Sequence, residues 1–234
     1  MERLIAGAKS LGLPLTPEQV ESFQVYYEEL ICWNKRVNLT AIVGYEEVQL
    51  KHFLDSLTIA LALKDMPSLL IDVGTGAGIP GVPLKILFPD ISLTLIDSVH
   101  KKTEFLNHLV ARLGLKGVEV LTARAEHLAH DEGYRERFDL VLSRGVAKLA
   151  TLAELALPFC TVGGAFIAQK KGEIDGEIEA AARAIDILGG RLREVKRVRL
   201  KELGEERALV IIDKITPTPQ RYPRRAGTPS RRPL

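Results

Sequence analysis

An apolar segment that runs into a cluster of glycines constrains the fold of this chain more than any other feature. Residues 69–73 read LLIDV, and such a run suits a parallel strand that is covered on both faces. Gly74, Gly76, Gly78 and Gly81 follow at once. Because glycine permits a positive φ and has no Cβ, a ligand can approach the main chain closely here. The pattern predicts a strand that leads into a ligand-binding turn.

A second acidic residue stands where nucleotide-binding βαβ units use one. Residues 91–96 predict the next strand, and Asp97 lies at its carboxyl end. A carboxylate in that position faces a ribose and accepts hydrogen bonds from its hydroxyl groups. The pattern therefore predicts a cofactor that contains adenosine.

The glycine spacing alone does not choose between adenosine cofactors. Residues 76–81 satisfy the dinucleotide pattern G-x-G-x-x-G, so a NAD-dependent oxidoreductase is one alternative. Asp72 favours S-adenosylmethionine, because its carboxylate would repel a pyrophosphate but attract a positive sulfur and an ammonium group. In the other interpretation, Asp72 merely caps the turn.

From residue 69 onward, predicted strands and helices alternate, which indicates a mostly parallel α/β sheet. The predicted strands are 69–73, 91–97, 118–122, 138–142 and 164–169, and the predicted helices are 81–88, 101–113, 149–158 and 173–188. Two further apolar-alternating segments, 192–200 and 207–213, have no helix between them. They predict an antiparallel hairpin on the sheet.

The carboxyl ends of parallel strands are where open α/β sheets bind ligands. Ala125 and Glu126 follow the third strand, where an adenine edge can meet main-chain N–H groups and an acid; alternatively, Glu126 only begins a helix. Arg144 follows the fourth strand and is expected to point into the cleft, where it can clamp a phosphate, a base edge or a cofactor carboxylate. Lys171 follows the fifth strand.

Two residues before the sheet form a candidate pair. A helix predicted at 46–63 brings His52 and Asp55 to one face, because they are three positions apart. From periodicity alone, they are a local polar pair on a partly exposed helix.

Composition indicates one main domain with attachments, since the 234 residues are 46% hydrophobic and 26% charged. Cys32 and Cys160 have no partner at metal-ligand spacing, so we expect neither a disulfide framework nor a metal site. The sequence has no run of eighteen apolar residues and begins without a long apolar segment. We therefore expect a cytoplasmic protein without a membrane span.

Basic charge is concentrated at the carboxyl end. The chain carries a net charge of +2, but residues 214–234 contain six cations and no acid, which leaves −4 for the rest. The cations are Lys214, Arg221, Arg224, Arg225, Arg231 and Arg232. Such a run is often a solvated tail, whereas the interleaved prolines and Tyr222 favour an arm that contacts RNA.

We divide the chain into a helical extension (1–65), an α/β domain (66–214) and a basic tail (215–234). Distinctive segments occur along nearly the whole chain; they are Trp33-Asn34, NLT at 38–40, HxxDSL at 52–57, DVGTGAGIPG at 72–81, Lys101-Lys102, Ser143-Arg144, Lys171-Gly172 and YPRR at 222–225. In these segments the chain resembles the RsmG (GidB) family of bacterial rRNA methyltransferases. The glycine turn is shared by many methyltransferases, whereas the NLT, HxxDSL and YPRR segments are specific to this family.

The resemblance implies the class I, Rossmann-like methyltransferase fold and methyl transfer from S-adenosylmethionine to guanine N7 in the decoding-region loop of 16S rRNA. It implies a cofactor site at Gly74, Ile79, Asp97, Ala125-Glu126 and Arg144. As weaker candidates for RNA contacts, it implies His52, Asp55, Lys171 and the tail arginines. The substrate is then 16S rRNA or a small ribosomal subunit particle, and we expect the enzyme to be a monomer.

Guanine N7 has an in-plane lone pair and no proton, so its methylation needs no general base. We therefore expect alignment and exclusion of water to be the main task of the protein, with Arg144 as a positioning residue. A non-catalytic RNA-binding protein and a methyltransferase for protein or small molecules are further alternatives.

Overall fold

A computed structural model describes residues 1–63, 65–145, 147–199, 204 and 206–234. In these ranges, seven strands form one sheet in the order β3-β2-β1-β4-β5-β7-β6. The strands are β1 (Leu69–Val73), β2 (Ser92–Asp97), β3 (Val118–Thr122), β4 (Phe138–Arg144), β5 (Cys160–Lys171), β6 (Gly190–Val198) and β7 (Arg207–Lys214). The first five strands are parallel to one another, whereas β7 is antiparallel to both β5 and β6. The predicted sheet and its antiparallel ending are confirmed.

Helices cover both faces of the sheet. They are α1 (Glu2–Ser10), α2 (Pro17–Asn34), α3 (Tyr45–Val48), α4 (Asp55–Leu57), α5 (Gly81–Leu87), α6 (His100–Arg112), α7 (Ala125–Leu128), α8 (Leu149–Ala156), α9 (Asp175–Ile187) and α10 (Thr228–Arg231). The helix predicted at 46–63 is segmented, because a π-helical turn at Gln49–Leu54 separates α3 from α4 and a 3₁₀ turn follows at Thr58–Ala62. π-Helical turns occur frequently at functional sites, and this one contains His52.

A capping box fixes the start of α2 and docks it on the sheet domain. Thr16 Oγ1 accepts a hydrogen bond from the Gln19 backbone N–H, and Gln19 Oε1 accepts one from the Thr16 N–H. Pro17 occupies the first helical position, where its missing N–H costs nothing. Gln19 Nε2 also donates to the carbonyl oxygens of Ile86 and Leu87 at the end of α5. The cap therefore orients the N-terminal helices as well.

Alternate residues of the strands belong to two buried clusters, one on each face of the sheet. Leu70 packs in the cluster that contains Phe23 and Phe53 of the N-terminal helices. Its neighbour Ile71 packs in the opposite cluster, with Phe166 of β5 and residues of α8 and α9. This burial on both faces explains the continuous apolar run of β1. The N-terminal helices share a core with the sheet.

The carboxyl-terminal segment is folded against the domain rather than solvated. Thr218 and Tyr222 are 3% and 7% exposed. Arg135 donates to the carbonyl oxygens of Tyr222 and Thr218 at 2.9 and 2.8 Å. His130 Nε2 lies 2.8 Å from the carbonyl oxygen of Pro223. Side chains of the domain therefore hold the backbone of the tail. Within the described ranges, no helix has the length and apolar character needed to cross a membrane.

Candidate active site

The glycine turn after β1 has the backbone conformation that its sequence predicts. Gly74 and Gly76 have φ of 73° and 60°, which disfavours any side chain. A Cβ added at Gly76 would meet no described atom within 4 Å, so this glycine leaves open space above the turn. Gly78 also has a positive φ, but its Cβ would lie 2.8 Å from Val82 and 3.0 Å from Tyr26 Oη. Close packing, rather than the predicted ligand contact, is what the structure shows for Gly78.

Asp72 caps the glycine turn from inside the core. Its Oδ2 accepts hydrogen bonds from Thr75 Oγ1 at 2.7 Å and from the Gly81 N–H at 2.9 Å. Burial raises the pKa of this carboxyl group to about 6. In the described residues, its Oδ1 has no hydrogen-bond partner, and the carboxylate lines none of the cavities described below. The structure thus corrects the prediction that Asp72 faces the cofactor, because capping occupies its side chain.

Asp97 joins the turn to a cavity of about 440 Å³ at the carboxyl ends of the strands. Its Oδ2 accepts from the Gly76 N–H at 3.0 Å, and its Oδ1 accepts from the Val99 N–H at 2.9 Å. Gly74, Ala125 and Glu126 also line this cavity. The structure therefore brings four of the predicted cofactor-site residues together.

A second cavity, of about 400 Å³, lies beyond Arg144 and is lined by several cationic side chains. Its lining comprises Ile42, Lys51, His52, Asp55, Arg144, Gly145, Gln169, Lys170 and Lys171. A smaller cavity of about 160 Å³ shares His52 and Arg144 with it, and shares Gly74 with the cavity at Asp97. Gly76 and the predicted Ile79 also line this smaller cavity. The three cavities therefore adjoin along one edge of the sheet.

A larger cavity of about 490 Å³ lies elsewhere. Asp139, Leu140 and Pro67 line it, and they stand at the amino ends of β4 and β1. Open parallel sheets bind ligands at the opposite edge. The cleft at Asp97 and Arg144 is therefore the candidate site.

The cleft has two halves, the 440 Å³ cavity at Asp97 and the 400 Å³ cavity with cationic side chains. Arg144 is held in place at the boundary between them. Its Nη1 donates to Asp55 Oδ2 and to the Lys51 carbonyl oxygen, both at 3.2 Å. Its Nη2 lies 3.3 Å from His52 Nδ1. The side chain is 18% exposed. Arg144 therefore reaches the cleft as predicted, but in an orientation that the HxxDSL segment fixes.

Asp55 organises this arrangement from inside the core. Its Oδ1 accepts a hydrogen bond from Arg207 Nε at 2.8 Å, while its Oδ2 pairs with Arg144. Gln169 Nε2 donates to the Asp55 carbonyl oxygen at 2.6 Å. Burial raises the pKa of Asp55, and the two neighbouring guanidinium groups oppose that rise. Asp55 is 0% exposed, so it positions Arg144, in place of the RNA contact implied by the resemblance.

His52 is neutral at physiological pH. Burial, together with the nearby Arg144 charge, lowers its pKa to about 4. His52 Nδ1 lies 3.3 Å from Arg144 Nη2 and 3.2 Å from the Lys51 carbonyl oxygen, and Nε2 lies 2.8 Å from Thr40 Oγ1. Asn34 Oδ1 accepts from the Thr40 N–H at 3.0 Å and so braces this contact.

Sequence reasoning quoted Asn34 and Thr40 as family motif residues but gave them no role. Their signals are the Trp33-Asn34 segment and the NLT motif at 38–40, and the contact of Thr40 with His52 depends on the fold. Gln169 and Arg207 were missed entirely, because each lies in a strand that reads as apolar. No local pattern marked either of them as a partner of Asp55.

The predicted RNA-contacting cations occupy different environments. Lys171 is exposed at the rim of the 400 Å³ cavity. Arg224 pairs with the buried Glu154 through two side-chain bonds of 2.8 and 2.6 Å, so its structural role corrects the predicted RNA contact. The exposed arginines of the tail are Arg221, Arg225, Arg231 and Arg232. Contact of these four with RNA stays a prediction.

Comparison with known proteins identifies the family. The sequence pattern of the GidB family, described as rRNA small subunit methyltransferase G, matches residues 19–210. A Dehalococcoides mccartyi (strain CBDB1) protein named ribosomal RNA small subunit methyltransferase G is 50% identical over 234 residues, covering 100% of both chains.

Solved structures show the same fold at low sequence identity. A SAM-dependent methyltransferase from Aquifex aeolicus superposes with a TM-score of 0.52 at 17% identity, over 72% of this chain and 93% of that chain. The structure of M. jannaschii TYW2 in complex with AdoMet superposes with a TM-score of 0.54 at 15% identity, over 74% and 78%. The fold is thus the Rossmann-like methyltransferase fold, and the family match decides against the oxidoreductase alternative. This chain belongs to the rRNA small subunit methyltransferase G family.

Proposed function

We propose that this protein transfers a methyl group from S-adenosylmethionine to N7 of a guanine in the decoding-region loop of 16S rRNA. Membership of the family makes it a small-subunit rRNA methyltransferase. One observation supports the assignment of S-adenosylmethionine and a guanine acceptor most strongly. The cavity at Asp97 adjoins a separate cavity that is lined by cationic side chains, and Arg144 is fixed between the two cavities.

The residues of the 440 Å³ cavity fit S-adenosylmethionine. Gly74 provides backbone without a side chain, and Asp97 provides a carboxylate that is fixed by two backbone N–H groups. Glu126 adds a second acid to the lining, which suits a cofactor with positive charge better than one with a pyrophosphate. S-adenosylmethionine supplies a methyl group that is activated by a positive sulfur atom. Gly74, Asp97, Ala125 and Glu126 would hold its adenosine portion.

The 400 Å³ cavity suits the acceptor base. A guanine has to leave its stack to present N7, because side chains scarcely reach into the deep major groove of an RNA helix. Arg144 presents fixed donors at the boundary, and O6 of guanine is a hydrogen-bond acceptor. His52 is neutral, so it adds no positive charge where the purine becomes cationic. These residues orient the base and exclude water, and N7 chemistry requires them to remove no proton.

Cations at the rim support RNA as the partner. Lys51 and Lys171 line the acceptor cavity, and the exposed tail arginines extend the basic surface. We further propose that Lys171 and the exposed arginines contact flanking phosphates, and that the enzyme acts as a monomer in the cytoplasm without a metal ion. An rRNA substrate supports the cytoplasmic location.

Methyl transfer to rRNA that lacks the modification tests the proposal. The purified protein and tritiated S-adenosylmethionine are incubated with naked 16S rRNA and with small subunits, both from cells without this activity. We expect labelled 16S rRNA and a new strand break at one guanine after borohydride and aniline treatment. Label without a new break would refute N7 as the acceptor, and unlabelled rRNA in both forms would refute the substrate.

A further inference from the structure

The carboxyl-terminal segment reaches the cofactor cavity. Ser230 of α10 lines the 440 Å³ cavity together with Ala125, Glu126, Leu152 and Leu155. Ala125 and Glu126 follow β3, beyond the Asp97 position that faces a ribose, so this is the adenosine end of the cavity. The basic charge of this segment predicts a contact with RNA, and the segment also borders the cofactor site.

An ion pair between the half-buried Arg224 and the buried Glu154 holds the segment in this place. Arg224 Nε and Nη2 donate to Glu154 Oε1 and Oε2 at 2.8 and 2.6 Å, and the Arg224 backbone N–H donates to Oε1 at 2.8 Å. Glu154 is 0% exposed. The Arg224 Nη2 also donates to the Arg232 carbonyl oxygen at 2.8 Å, which closes the loop around α10. Bidentate pairs of this kind fix geometry as well as adding energy.

The elements that hold the tail also line the cavity. Glu126 Oε1 accepts from the Gly227 N–H at 2.9 Å, and Glu126 belongs to the cavity lining. On α8, Glu154 holds Arg224, while Leu152 and Leu155 line the cavity. One carboxylate and one helix therefore serve both the tail and the adenosine end.

We propose that the carboxyl-terminal segment is the outer wall of the adenosine pocket: Ser230 contacts the adenosine, and the Arg224–Glu154 pair positions that wall. The Ser230 hydroxyl can both donate and accept a hydrogen bond, which matches the hydroxyl and ring-nitrogen groups of adenosine. The affinity for S-adenosylmethionine thus depends on the tail, independently of any RNA contact. The proposal rests on the cofactor and not on the choice of RNA target.

Calorimetric titration without RNA tests this directly. The probes are S-adenosylmethionine and 5′-methylthioadenosine, which contains adenosine but no amino acid. We expect Ser230→Phe and Arg224→Gln each to weaken the binding of both probes about tenfold, and Ser230→Ala to weaken it about threefold through one lost hydrogen bond. Arg224→Lys keeps the charge without the fork and should fall between wild type and Arg224→Gln. Arg183→Gln removes an exposed arginine on α9 and should leave both affinities unchanged.

Amide hydrogen exchange provides a second readout. Saturating S-adenosylmethionine should slow exchange at residues 222–231 in the wild type, and this protection should shrink in Ser230→Phe. Wild-type affinity in Ser230→Phe overturns the proposal, and this surface variant decides the matter even if Arg224→Gln does not fold. An equal loss of affinity in Arg183→Gln would also overturn it. Either result leaves the rRNA methylation assay unaffected, so the two proposals fail separately.

Discussion

The two halves of the cleft are built in different ways. In the cofactor half, Asp97 accepts hydrogen bonds from backbone N–H groups, and its contact with Gly76 spans 21 residues. In the acceptor half, Asp55 binds the guanidinium groups of Arg144 and Arg207, contacts that span 89 and 152 residues. The cofactor half is thus a local turn with carboxylate anchors. The acceptor half is a network of charges from distant segments. Substitutions in the acceptor half should therefore lower the stability of the protein, whereas substitutions in the cofactor half should lower its affinity for S-adenosylmethionine.

Removing the carboxylate of Asp55 should give the largest effect and should act on stability. Asp55→Ala leaves the half-buried Arg144 and the buried Arg207 without this counter-charge, and loss of one partner of a buried ion pair typically costs about 3–5 kcal/mol. We expect urea unfolding to show a loss of this size in the free energy of unfolding. Asp186→Ala, at an exposed position on α9, is the matched control and should stay within about 0.5 kcal/mol of wild type. A similarly small loss in Asp55→Ala would show that the network does not support the fold.

Removing the carboxylate of Asp97 should instead act on cofactor affinity. Charge-assisted hydrogen bonds contribute about 1.5–3 kcal/mol, so Asp97→Ala should weaken S-adenosylmethionine binding by about tenfold to a hundredfold. Asp97→Asn keeps an acceptor for the Gly76 N–H and should lose less affinity. Calorimetry measures both variants. Wild-type affinity in Asp97→Ala would remove the main support for the ribose assignment and, with it, the contrast between the halves.

How far the sequence predicts each half follows from the same contrast. Gly74, Asp97 and Ala125 lie one after another at strand ends, so the rule for parallel sheets was enough to bring them together. Asp72 was misplaced because strand periodicity does not show that Thr75 and Gly81 turn its carboxylate inward. The sequence therefore predicted that these residues lie together around one cavity, but it did not predict the orientation of every side chain.

The acceptor half and the tail required long-range information. His52 and Asp55 stood out through the family resemblance, since periodicity alone made them an exposed pair. The Arg224–Glu154 contact joins residues 70 positions apart. From the concentration of basic charge in the tail alone, Arg224 was predicted to contact RNA. A charge pattern reports how many cations a segment has, whereas the fold decides which of them are paired.

Acidification should weaken the acceptor half through His52. Its pKa of about 4 lies below the usual value of 6.5, so the unfolded chain binds the proton more readily and stability falls as pH drops from about 6.5 to 4. The raised pKa of Asp72, about 6, has the opposite sign, because the folded state gains stability as pH falls from about 6 to 3.8. The His52 contribution should amount to about 2 kcal/mol between pH 7 and pH 5.

His52→Gln isolates this contribution, since Asp72 is the same in both proteins. We expect the free energy of unfolding of the variant to fall less than that of wild type on going from pH 7 to pH 5. Chemical denaturation at the two pH values measures the difference. Equal losses in the two proteins would contradict a neutral, buried His52.

Lys171 should give the smallest effect, because it is the exposed member of the acceptor half and water and salt screen its charge. If it binds one phosphate, Lys171→Gln should lower the slope of log affinity for 16S rRNA against log salt by about 0.7–0.9. Its affinity for S-adenosylmethionine should not change. Lys116→Gln is the control. This exposed lysine precedes β3 and so lies on the side of the sheet where the parallel strands begin, whereas the cavities lie where those strands end. An equal change in slope for both variants would mean that RNA binding depends on the total charge of the protein rather than on Lys171. That result would contradict the proposal that the RNA strand binds beside the acceptor cavity.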